Sequence, residues 1–73
     1  MDTIRWTVLF KAGTDSPTIV ETIKMSDLTF PLIGKPDIGL QGLAVDKLNN
    51  ERELIDYASR SRVDFLIQQF IPF

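Results

Sequence analysis

Glu53 and Asp56 stand three residues apart in a stretch with helical patterning, so their carboxylates would share one helix face. Held close together, such a pair can raise one pKa enough for general acid–base chemistry. Asp56 also precedes Arg60 by four residues, the spacing and polarity of a stabilising helix ion pair, and Arg52 adjoins Glu53. The two acids therefore read as neutralised surface charge before they read as catalytic groups. A catalytic pair would also need a pocket of a size that 73 residues seldom enclose.

The chain contains neither histidine nor cysteine. That removes Ser-His and Cys-His nucleophiles, thiol redox chemistry, and zinc or haem ligation of the usual kinds. Gly34-Lys35 lacks the upstream glycine of a phosphate-wrapping Walker loop, and Gly39-Leu40-Gln41-Gly42 is no dinucleotide fingerprint. The expectation is a protein that is not an enzyme and holds no cofactor or metal.

Binding is the chemistry left, and three groups of residues could carry it. Arg52, Arg60 and Arg62 near Tyr57 could contact a nucleic acid, since guanidinium forks grip phosphates and an exposed aromatic ring stacks on a base. Interleaved Glu53, Asp56 and Asp64 make an ion-paired helix surface the simpler reading. The alternating stretch Arg5, Thr7, Leu9 and Lys11 could present a flat face or a sheet edge to a protein partner. Phe70-Ile71-Pro72-Phe73, with Phe70, Ile71 and Phe73 as the anchors, could hook into a partner groove or cover the protein's own core.

These groups need elements to position them. From Thr3 to Ala12 the chain alternates Ile4, Trp6, Val8, Phe10 and Ala12 against Thr3, Arg5, Thr7, Leu9 and Lys11, the period-two pattern of a half-buried strand. Gly13-Thr14-Asp15-Ser16-Pro17 is turn chemistry. Thr18 to Met25 then reads as a returning strand with Ile19, Ile23 and Met25 inward and Glu21 as the exception. Val8 or Trp6 would lie opposite Ile23. Leu28 to Ile33, interrupted by Pro31, reads as an edge strand. Residues 34 to 45 form the joint to a helix over about 46 to 60, with Asn50 as N-cap and Glu53 placed to reach back to the Asn50 amide. Leu54, Ile55 and Ala58 would line its inner face, with Leu48 or Tyr57 at the flank.

The segment 62 to 73 fits either period. Val63, Leu66, Ile67 and Phe70 make a helical stripe, whereas Val63, Phe65 and Ile67 make a strand face. Gln68 and Gln69 favour the helix, which Ile71-Pro72 would end. As a strand the segment would complete the sheet.

Composition agrees with one small α+β domain, an antiparallel β-hairpin and an edge strand packed against one helix. At 44% hydrophobic and 25% charged the chain is of globular type, and apolar packing must stabilise it without disulfides. Apolar runs such as Val8-Leu9-Phe10 and Phe65-Leu66-Ile67 are too short to span a membrane, and Met1-Asp2-Thr3 does not open a signal peptide, so a cytoplasmic protein is expected. Residues 1 to 45 and 46 to 73 each carry one more acid than base, which argues against a broad basic surface for duplex binding.

The expected role is that of a stoichiometric regulator, monomeric when free, that occupies a surface of a larger machine. By analogy of size and lack of chemistry alone, small regulators of bacterial viruses that act on host RNA polymerase suggest that complex as first partner. The alternative is a small nucleic-acid-binding module that uses the arginine-bearing helix for local RNA or DNA contact.

Overall fold

The computed structural model describes residues 7–37 and 45–70. Its elements run β1 (Thr7–Phe10), α1 (Ser16–Met25), β2 (Leu32–Pro36), β3 (Asp46–Leu48), α2 (Glu51–Arg60) and β4 (Phe65–Gln69). The described residues form a small α+β domain with two helices and one four-stranded antiparallel sheet, in the order β1-β4-β2-β3.

That order interleaves two split β-α-β units. β1 and β2 flank β4 and are joined through α1; β3 and β4 flank β2 and are joined through α2. β2 and β3 are consecutive and pair directly, whereas β4 pairs with β1 and β2 only after distant parts of the chain meet. The expected hairpin of residues 3–12 with 18–25 is thereby replaced: Val8 lies opposite Ile67 rather than Ile23.

The segment expected as the second strand is α1. Asp15 caps it, its carboxylate accepting from the Thr18 amide at 3.1 Å and from the Thr18 hydroxyl at 2.9 Å, and Pro17 occupies the first turn, where its missing N–H is not needed. Ile19 and Ile23, four residues apart, are the buried positions. The outward Glu21 between them, an exception to strand alternation, is regular on a helix. The β-branched Thr18, Ile19, Val20, Thr22 and Ile23 favour strand only until caps and core packing are counted.

α1 ends in a Schellman motif. The Leu28 amide donates to the Ile23 carbonyl and the Asp27 amide to that of Lys24, with Asp27 at a left-handed φ of 61°. Both Ile23 and Leu28 are buried in the core, supplying the apolar contact that goes with this turn. The Phe30–Pro31 peptide bond is cis.

β2 is central rather than an edge, lying between β4 and β3. Pro31 precedes its ladder and Pro36 is its last residue, so neither proline deletes an interior hydrogen bond. Residues 34 to 36, expected in the joint, belong to β2, and Asp46–Leu48, expected to open the helix, form β3. α2 begins where Asn50 caps it, its side chain accepting from the Glu53 amide at 3.0 Å. Glu53 reaches back one residue beyond expectation, accepting from the amide of Asn49 at 2.8 Å.

The last segment is a strand. β4 fills the centre of the sheet between β1 and β2, which satisfies its backbone on both sides, and this outweighs the helical leaning of Gln68 and Gln69. Gln69 instead ties in the segment before β2, accepting from the Thr29 amide at 3.0 Å and donating to the Thr29 carbonyl at 2.8 Å. At the other end of β4, Asp64 accepts from Ala12 through its carboxylate and from Asp37 through its carbonyl, extending both flanking ladders.

One apolar cluster joins the helices to a single side of the sheet. Phe10, Leu32, Leu48, Phe65 and Ile67 meet Ile19, Ile23, Leu54, Tyr57 and Ala58. Each fully buried large side chain contributes about 1.5–3 kcal/mol before entropy is set against it. Phe65 is at the centre, stacked on Phe10 and edge-on to Tyr57, with ring centroids 5.6 Å away in both cases.

Candidate functional site

Both helices pack on one side of the sheet, and among the described residues no helix or strand packs on the opposite side. Strand alternation and register place Thr7 and Leu9 of β1, Leu66 and Gln68 of β4, Ile33 and Lys35 of β2, and Lys47 of β3 on that open face. They form two rows across the strands. One row runs Leu9, Leu66, Lys35; the other runs Thr7, Gln68, Ile33, Lys47.

Leu9 and Leu66 are directly paired, Leu9 is 53% exposed, and Ile33 and Leu66 are half-buried. Leu9 and Leu66 lie on β1 and β4, and the two lysines on β2 and β3, with Ile33 of β2 directly opposite Lys47. No outward strand position carries an acid. The Lys47 ammonium sits 4.7 Å from the centre of the Phe70 ring, a cation–π contact at the end of the face.

Of the partner-binding residues expected from sequence, Thr7 and Leu9 are brought together on this face with residues the sequence reading did not single out: Ile33, Lys35, Lys47, Leu66 and Gln68. Lys11 is exposed just past the end of β1. Phe70 is half-buried beside Lys47. Arg5, Ile71 and Phe73 lie outside the described residues. Leu66 and Ile33 were legible as outward-facing only once β4 and β2 were known to be strands.

Of the group expected to contact nucleic acid, Tyr57 is buried and the arginines are exposed. Tyr57 is only 7% exposed, its ring held between Gly34 and Phe65, and it cannot offer a face to a base. Burial and the nearby Asp46 carboxylate raise its phenol pKa above the ordinary value. The reason for the correction is helical phase: Leu54, Tyr57 and Ala58 share the inner stripe, and Ile55, expected inside, is half-buried at its margin. Arg60 pairs with Asp56 at 3.1 Å, as the spacing predicts, and both side chains are well exposed. Such a surface pair contributes only about 0.3–0.5 kcal/mol. Arg52 and Arg62 are exposed.

A second concavity, also unforeseen, runs between the helices. It is a shallow groove open to solvent, of about 490 Å³, lined by Pro17, Val20, Met25 and Ile55 together with Glu21, Lys24 and Glu51. Its charges are mixed in sign, unlike those of the sheet face. Among the described residues no group of three or more acidic side chains is arranged to hold a metal ion, and no helix is long and apolar enough to cross a membrane.

Compared with known proteins, the chain matches no family model, no curated protein and no solved structure. The sheet face is thus read from its own chemistry.

Proposed function

We propose that this protein is a non-enzymatic regulatory binding domain of the cytoplasm, monomeric when free, that docks through its open sheet face on a larger protein assembly. The observation that supports this reading is the composition of that face: the paired Leu9 and Leu66 on β1 and β4, Ile33 beside Lys35 and Lys47 on β2 and β3, and both helices behind. Apolar residues rimmed by charge of one sign combine desolvation with orientation, which suits a protein partner. RNA polymerase is the first assembly to test, on the analogy with small viral regulators.

Burial of Tyr57 and the Arg60–Asp56 pair speak against nucleic-acid binding by α2. The experiment is capture from nuclease-treated bacterial lysate with the full chain, beside the variants Leu9→Asp, Leu66→Asp, Arg52→Glu with Arg62→Glu, and Met25→Asp. Loss of one defined complex, RNA polymerase first among those sought, with the two sheet variants alone is the expected outcome. Retention in the sheet variants, with loss in the arginine pair or in Met25→Asp, would move the interface to α2 or to the inter-helix groove.

A further inference from the structure

We infer that the part of the partner seated on the open sheet face is an acidic amphipathic helix. This rests on the reading of that face as the docking surface and adds the chemistry of its occupant.

Size is the first argument. Four strands spaced about 4.8 Å apart and up to five residues long at about 3.3 Å each offer a face of about 300 Å². A standard interface between folded domains takes about 800 Å² from each side. A helix about 10 Å wide, laid along the strands for about three turns, covers about half of that face, the width of two strands.

Charge is the second. Lys35 and Lys47 stand on neighbouring strands, Lys47 directly opposite Ile33 and Lys35 two residues beyond it, so the lysines are diagonal neighbours about 7–8 Å apart at the backbone. Two carboxylates three or four residues apart on a helix have Cβ atoms about 5–6 Å from one another, a separation that long lysine side chains readily meet. The same helix turned toward Leu9 and Leu66 would present apolar residues at i, i+3 and i+4. A second copy of this chain laid face to face would bring no carboxylate to these lysines, since no outward strand position is acidic. A single-stranded nucleic acid would find one aromatic ring at the end of the face, Phe70, already in contact with Lys47, and no row of rings on which successive bases could stack.

The test is a titration of the full isotope-labelled chain with two synthetic helical peptides, followed by amide chemical shifts. One peptide carries leucines on one face flanked by glutamates four residues apart; its twin has lysines in place of the glutamates. The acidic peptide is expected to bind about tenfold more tightly, with shifts centred on Leu9, Ile33, Lys35, Lys47 and Leu66, and Lys35→Glu with Lys47→Glu should reverse the preference. Equal binding of the twins, no binding of either, shifts centred on α1 and α2, or stronger binding of an oligouridine probe would each overturn the inference.

Leu66→Asp separates the two levels, with Leu9→Asp as the substitute should the first variant fail to fold. Binding weakened by the aspartate but blind to peptide charge would leave the docking face standing and sink the acidic helix. Binding indifferent to the aspartate would sink the face itself.

Discussion

The ring of Tyr57 lies so close to Gly34 that a Cβ on that glycine would stand 2.8 Å from Cε2 and 3.0 Å from Cδ2 and Cζ. The tyrosine cannot retreat easily, because its other contact is the edge-on Phe65 in the middle of the core. β2 thus accepts a weak strand former at its centre so that α2 can approach the sheet. Gly34→Ala should cost about 1–3 kcal/mol by overpacking. In a Tyr57→Leu background the same change should cost measurably less, a coupling that denaturant titration of all four chains would reveal. Simple additivity would mean that the glycine matters for another reason.

The single tyrosine also sets an alkaline limit. Its folded pKa is raised, so below the ordinary value of about 10 both folded and unfolded chains keep the proton and stability is full. As pH climbs past that value the unfolded chain ionises first, and stability falls through the folded pKa. Melting temperature followed across this range should drop, and Tyr57→Phe should flatten the drop.

Asp15 works at the acid end with the opposite sign. Its hydrogen bonds from the Thr18 hydroxyl and amide lower its pKa. The associated stability is present above the ordinary carboxylate range and is lost as pH falls through the depressed folded value. Asp15→Asn keeps a capping side chain that does not titrate, so it should reduce the acid sensitivity of α1 without removing the helix. Helical circular dichroism and melting against pH would show it.

Asp27 carries a left-handed φ of 61° at the end of α1, a conformation that disfavours most residues but suits glycine. Asp27→Gly should leave the Schellman turn intact and stabilise by about 0.5 kcal/mol. A fall in stability would show that the aspartate contributes more than its backbone shape.

Adjacent residues of β4 should behave oppositely. Ile67 is fully buried, and Ile67→Ala should cost about 2–5 kcal/mol, enough to unfold much of a domain of this size. Leu66 faces the open side, and Leu66→Asp should leave a folded chain. Thermal melts of the two variants decide between a strand and a helix at this segment, because on a helix both positions would share the stripe predicted from Val63, Leu66, Ile67 and Phe70.

Local physics was enough to read some of this protein from its residues. The inward Val8 and Phe10 of β1, Asn50 as a helix cap, the inner Leu54 and Ala58, and the Asp56–Arg60 pair all follow from interactions within a few positions along the chain. The small α+β class follows from the same periodicities. Partners distant in sequence decided the rest. Asp15 and Pro17 were helix signals that resembled a turn while Thr18–Ile23 looked β-branched, and only docking of Ile19 and Ile23 into the core chose the helix. Phe65–Gln69 had two admissible periods until β1 and β2 supplied ladders on both its edges. The open face itself joins residues from four strands, so its chemistry came into being only when long-range pairing set their register.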